Sequence, residues 1–142
     1  MKIHVNRVPP EGLRQHVTYD PSTMDMDRSD LSLREPLEAD VVVTMTDGEL
    51  VVAVAIRCPI TALCSRCLEE FRRTLTADAV LTYTVHPTEV IDLTDDVRQE
   101  TMLAYPMIPL CRSDCQGLCP RCGQNRNHGS CRHPPPSIAE SL

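Results

Sequence analysis

The sequence predicts an α+β protein that is mainly β: an antiparallel sheet or partial barrel, one short helix, and a C-terminal Cys-rich zinc-binding tail. Three observations lead there. Two β-branched runs, Ala39–Thr46 and Glu49–Ile56, meet at Asp47-Gly48, the dipeptide that suits a type I′ hairpin turn. A further run, Phe71–His86, places Leu75, Ala77, Ala79, Leu81, Tyr83 and Val85 in strand-like alternation. From Pro109 onward such periodicity disappears, and five of the eight cysteines lie there.

The elements follow in order. Lys2–Val5 alternates weakly and predicts a first strand. Arg14–Asp40 is polar, with the turn signal Tyr19-Asp20-Pro21-Ser22 followed by Met24-Asp25-Met26-Asp27, and reads as a long connection or a weak strand pair. In the run after Gly48, Leu50, Val52, Val54 and Ile56 share one face, and Val51, Ala53 and Ala55 the other. Both faces are apolar, which predicts a central strand. Asp92-Leu93-Thr94-Asp95 opens a helix by the capping pattern, Leu93, Val97, Thr101 and Ala104 mark one face, and Pro106 stops it. The expected organisation is a β-rich domain over 1–110 with its helix near 93–104, a zinc-binding tail over 111–133 packed on it, and a disordered 134–142.

Composition sets the limits. A chain of 142 residues is one domain's worth, and with no Trp, one Phe and three Tyr its core must be aliphatic. No 18-residue apolar run exists, which argues against a membrane span, and Met1–Gly12 has no continuous apolar stretch of the secretory kind. The chain is expected to be cytoplasmic, where cysteine clusters are metal or redox centres before they are disulfides. The net charge is −6, so the whole chain is no polycation. Thirteen of its fourteen basic residues are nevertheless Arg. Arg112, Arg121, Arg126 and Arg132 stand against Asp114 alone between Cys111 and His133, so the Cys-rich end is the basic end of an acidic protein.

The cysteines carry the strongest signal. Cys64-Ser65-Arg66-Cys67 and Cys119-Pro120-Arg121-Cys122-Gly123 are Cys-x2-Cys hooks, Cys111 and Cys115 form a Cys-x3-Cys hook, and Cys131-Arg132-His133 closes the series. Two such hooks make a tetrahedral zinc site. Cys64, Cys67, Cys111, Cys115, Cys119, Cys122, Cys131 and His133 make eight ligands, enough for two zinc ions. The economical pairing joins Cys64 and Cys67 with Cys111 and Cys115, and Cys119 and Cys122 with Cys131 and His133. His128 rivals His133 for the last position. Rubredoxin-like iron suits the same spacing, but the terminal His favours zinc. Cys58, inside an apolar strand, reads as a small buried hydrophobe. Eight protein ligands leave neither site the open position of catalytic zinc, and no other catalytic constellation stands out, so the chain reads as a non-enzyme without a small-molecule substrate.

The order of these pieces, from Cys64-Ser65-Arg66-Cys67-Leu68-Glu69-Glu70-Phe71 through Leu103-Ala104-Tyr105-Pro106 to Gly117-Leu118-Cys119-Pro120 and Asn125 and Asn127, resembles the bacterial YceD-like family of large ribosomal RNA subunit accumulation proteins. The resemblance covers about residues 40–133. Two departures stand out: Cys131-Arg132-His133 where such proteins often have Cys-x-Cys, and Arg126 where they often carry Leu. The resemblance implies a role in synthesis, processing or stability of large-subunit (23S) ribosomal RNA, with ribosomal RNA or a pre-ribosomal particle as partner, reached directly or through a protein.

Apart from the family, Arg121, Arg126 and Arg132 beside the metal hooks are the candidate RNA-binding residues, since guanidinium groups pair with phosphates and stack on bases. The competing explanation is that they neutralise thiolate-rich metal centres. Two other functions compete: a zinc-stabilised protein-interaction adaptor docking through the acidic helix or a sheet edge, and a thiol redox protein using Cys64/Cys67.

Overall fold

The computed structural model describes residues 1–129. Its centre is a curled antiparallel sheet, a half-barrel. Strand β1 (Lys2–His4) opens the chain, β2 (Leu13–Tyr19) follows, and a single helical turn α1 (Pro21–Met24) leads to β3 (Leu31–Ser32). The long strands are β4 (Leu37–Thr46), β5 (Glu49–Leu63) and β6 (Glu70–Thr84), and β7 (Val90–Asp92) precedes helix α2 (Thr94–Leu103).

The hairpin at Asp47-Gly48 forms as its dipeptide requires: φ is 50° at Asp47 and 81° at Gly48. It sets the β4–β5 register from Thr46↔Glu49 to Glu38↔Arg57. β5 is central, as its two apolar faces predict. It pairs with β6 along its whole length on one edge, and with β4 and then β3 on the other. The two faces differ in fate, however. Leu50, Val52, Val54 and Ile56 are buried, whereas Ala53 and Ala55 are exposed on the outer face. Cys58 is fully buried, and that burial pushes its thiol up to about 11.

The polar stretch 14–40 is more regular than its sequence suggests. β2 pairs with β4 over seven residues, from Leu13↔Val43 to Tyr19↔Leu37. It is an edge strand that leaves Arg14, Gln15 and His16 in solvent, which masks its alternation. Met24 and Met26, set between aspartates, are core residues. Their backbone is held from the far end of the chain, because Arg98 donates to the carbonyls of Met24 (2.7 Å) and Asp25 (3.2 Å) and the Tyr105 hydroxyl to that of Met26 (3.1 Å). β1 pairs with β7 in a small second sheet.

α2 begins one residue later than the capping pattern predicts. Asp92 caps an Asx turn by accepting from the Thr94 N–H at 3.0 Å, and Leu93, with no side-chain cap, takes the N-cap position. Leu93, Val97 and Thr101 face the core, and the Tyr83 hydroxyl donates to the Asp96 carboxylate. No helix among the described residues is long and apolar enough to cross a membrane.

The inward and outward faces of the long strands make a direct test. Leu50→Ala, at a fully buried position, should lower stability by about 2–5 kcal/mol. Val80→Thr, at a side chain 70% exposed, should stay within about 0.5 kcal/mol. Urea unfolding of both variants checks the register, since a one-residue slip of β5 and β6 would exchange the two effects.

Candidate metal centre

The connection from β5 to β6 is a tight knuckle. The Cys64 N–H donates to the Glu69 carbonyl and the Leu68 N–H to the Cys64 carbonyl, each at 2.9 Å. Closing that loop puts Leu68 in the left-handed region, φ 62°, with its side chain exposed. Only glycine takes this conformation without strain, which amounts to roughly 1–2 kcal/mol for other residues. In exchange, backbone N–H groups of Arg66 and Cys67 point at the Cys64 sulfur, and that of Glu69 at the Cys67 sulfur.

Cys111 and Cys115 arrive on the segment after α2. Hydrogen bonds from the knuckle and from β6 seat that segment. The Ser65 N–H donates to the Pro109 carbonyl (2.8 Å), Arg66 to the Cys115 carbonyl (3.1 Å), and Arg73 to the Leu110 carbonyl (2.7 Å). The sulfurs converge as a result. Cys64 and Cys115 Sγ are 3.7 Å apart, Cys67 and Cys111 Sγ 3.8 Å, and all four lie within 4.8 Å of one another. Cys64, Cys67 and Cys115 are buried and Cys111 is half-buried.

The donor set fits a tetrahedral thiolate metal. Zn–S bonds of about 2.3 Å at tetrahedral angles set sulfur–sulfur edges of about 3.8 Å. A disulfide needs a separation of about 2.05 Å, well short of these. The electrostatics agree. Burial raises the Cys64 thiol, but the N–H groups of Cys67, Cys111 and Arg66 outweigh it and bring it down to about 6. The Asn127 side chain and the Gly117 N–H lower Cys115. Burial and the neighbouring sulfurs raise Cys67 and push Cys111 to about 12. Holding all four as thiolates at this spacing would call for a cation among them.

The second Cys-x2-Cys hook repeats the first knuckle's backbone. The Cys119 N–H donates to the Gln124 carbonyl and the Gly123 N–H to the Cys119 carbonyl, each at 2.8 Å, with Gly123 at φ 74°. Here the left-handed position carries the glycine that suits it. Cys119 is buried and Cys122 exposed. The Arg121 N–H reaches the Cys119 sulfur at 3.4 Å and the Arg126 guanidinium at 3.8 Å. Arg126 thus lies half-buried against a hook sulfur, while the Arg121 side chain is exposed. His128 Nε2 sits 2.9 Å from Glu69 Oε1, on the first knuckle. Cys131, Arg132 and His133 lie outside the described residues, as does the stretch 134–142.

One residue of the centre was not assigned a role by spacing. Asn127 donates to the Cys115 sulfur at 3.2 Å, while its Oδ1 accepts from Arg112 (2.7 Å) and from the Gln116 N–H (2.9 Å). It locks the Cys111–Cys115 hook to the turn that follows the second one. In the sequence it stands five residues beyond Cys122, among the residues that carry the family resemblance. Groups that orient ligands in this way typically change metal affinity about 10–100-fold. Asn127→Ala should therefore weaken metal retention by about that factor in a chelator competition. Unchanged retention would reduce Asn127 to a loop residue.

Comparison with known proteins bears on the same stretch. Residues 83–140 match the family described as Large ribosomal RNA subunit accumulation protein YceD. The uncharacterized protein ML1660 of Mycobacterium leprae (strain TN) is 30% identical over 104 residues, 62% of this chain and 48% of that protein. The uncharacterized protein Rv2926c of Mycobacterium tuberculosis (strain ATCC 25618 / H37Rv) is 30% identical over 103 residues, 61% of this chain and 50% of that protein. The chain spans about half the length of the curated relatives it matches. No solved structure matches it. Cys64 and Cys67 precede the matched stretch, whereas Cys111, Cys115, Cys119, Cys122 and Asn127 fall within it.

Proposed function

We propose that this protein is a non-enzymatic, zinc-stabilised cytoplasmic factor that supports synthesis, processing or stability of large-subunit (23S) ribosomal RNA. The observation that carries the reading is the YceD match over 83–140, whose description names large ribosomal RNA subunit accumulation. The partner is ribosomal RNA or a pre-ribosomal particle, contacted directly or through a protein.

Zinc is the cation proposed for Cys64, Cys67, Cys111 and Cys115, because four sulfurs at tetrahedral spacing suit its coordination. A second zinc is proposed at Cys119 and Cys122, completed by Cys131 and His133. Two features support it: a backbone built like the first knuckle, and two N–H donors aimed at the Cys119 sulfur. The contact between His128 and Glu69 favours His133 over His128 as the fourth ligand. Arg121 is the better placed of the two described candidate RNA contacts, since Arg126 is turned toward Cys119.

One observation favours the adaptor reading. Met102 and Leu103 close the acidic helix and Met107 and Ile108 follow it in the chain, and all four are exposed, from 43% to 93%. Contiguous exposed apolar side chains often mark protein contacts. Crosslinking in cells separates the two readings. The proposal expects RNA crosslinks at the Cys-rich end and a fall in 23S ribosomal RNA when the protein is removed. Protein crosslinks alone, at Leu103 and Met107, would favour the adaptor. Unchanged 23S levels on removal would reject the proposed function.

A further inference from the structure

The first centre and the second Cys-x2-Cys hook are joined by more than their nearness in the chain. Cys115 completes the first centre, and Cys119 opens the second hook four residues later. Between Cys111 and Gly129 only Cys115, Gly117 and Cys119 are buried, so no apolar core orders this stretch. Its order comes from a hydrogen-bonded turn wrapped around the second hook. Beyond the two bonds that close the hook itself, Leu118 and Asn125 form a bridge. The Arg126 N–H donates to the Gly117 carbonyl and the Asn127 N–H to the Asn125 side chain, each at 2.9 Å.

That turn delivers three groups to the first centre. Asn127 donates to the Cys115 sulfur at 3.2 Å and is itself held by Arg112 and the Gln116 N–H. His128 meets Glu69, whose backbone N–H faces the Cys67 sulfur. Gly117, at φ 77°, lies against Arg66 inside the first hook. Asn127 is the main link, because it touches a ligand sulfur directly, whereas the exposed contact of His128 with Glu69 is of the weak kind.

Linkage is the physical consequence. A metal held at Cys119 and Cys122 fixes the turn, and the entropic cost of ordering it falls on that binding event. The first centre then receives the Asn127 hydrogen bond without ordering the turn itself, and holds its own metal more tightly. Both centres are anionic when their thiolates hold zinc, which opposes filling them together. Arg112, bonded to Asn127, and Arg126, against the Cys119 sulfur, offset that repulsion.

We propose that the two centres fill cooperatively. Metal at Cys119 and Cys122 strengthens metal binding at Cys64, Cys67, Cys111 and Cys115 through Asn127, and the reverse holds by the same factor. The proposal rests on the two-zinc reading above and adds that neither centre is independent of the other. The exposed Cys122 thereby controls the buried joint between the sheet and the Cys-rich segment.

The test takes the full chain purified with cobalt(II) in place of zinc and titrates it with a chelator. Cobalt held by four sulfurs and cobalt held by three sulfurs and an imidazole absorb at different wavelengths, so each centre is read separately. Cys122→Ser should weaken cobalt binding at the first centre about tenfold without emptying it. In an Asn127→Ala background the same substitution should weaken it less than about twofold, since the link is already cut. Equal losses in both backgrounds, or no loss in either, would overturn the proposal. Asn127→Ala alone keeps every proposed ligand, and it remains readable if Cys122→Ser folds poorly. It should weaken cobalt at the second hook about tenfold, although its side chain bonds to a sulfur of the first centre. An unchanged second hook in that variant would overturn the coupling and leave two separate zinc centres standing. A parent that retains fewer than two cobalt ions would overturn the two-zinc reading and the coupling with it.

Discussion

The placement of residues 109–129 depends on one point, where four sulfurs from two distant hooks come within 4.8 Å. The stretch carries few apolar side chains, and the cluster it joins has only Phe71, Leu110 and Cys111 packed around Cys64, Cys67 and Cys115. Burial on that scale cannot offset the ordering of some twenty residues at about 1–2 kcal/mol each. The main core lies elsewhere, between α2 and the buried face of β4 and β5. A bound cation is the term that can make up the difference, because metal binding at a site absent from the unfolded chain is folding free energy.

The long β5–β6 hairpin serves this arrangement. It carries Cys64 and Cys67 to the end of the sheet opposite the Asp47-Gly48 turn, and the strain at Leu68 is accepted there so that backbone N–H groups face the sulfurs. The second hook makes the same turn with Gly123 at no such strain. Arginines cluster at this end in two roles. Arg66 and Arg73 bind backbone carbonyls of the docked segment, and Arg34 and Arg72 pair with exposed carboxylates on the outer face. The first pair holds the docked segment, and the second forms exposed ion pairs.

Local signals could be read before the fold was known, and of the distant ones only the cysteine pairing could. Asp47-Gly48 announces its turn because only certain residues tolerate positive φ, and the alternation around it sets the register. The pairing of Cys64 and Cys67 with Cys111 and Cys115 was available from ligand arithmetic, since hooks come in twos. β2 was obscured because an edge strand with one face in water loses its alternation. Met24 and Met26 looked polar beside their aspartates, and only Arg98 and Tyr105, more than seventy residues away, hold them inward. Leu68 was a missed opportunity. It stands four residues after Cys64, as Gly123 does after Cys119.

The central claim is that one cation joins the sheet to the Cys-rich segment through Cys64, Cys67, Cys111 and Cys115. X-ray absorption at the zinc edge, on Cys122→Ser protein purified without added metal, isolates that centre from the second hook. The account predicts a shell of four sulfurs at about 2.3 Å. A shell dominated by nitrogen or oxygen, or metal-free protein that keeps residues 109–129 folded against β6, would contradict it.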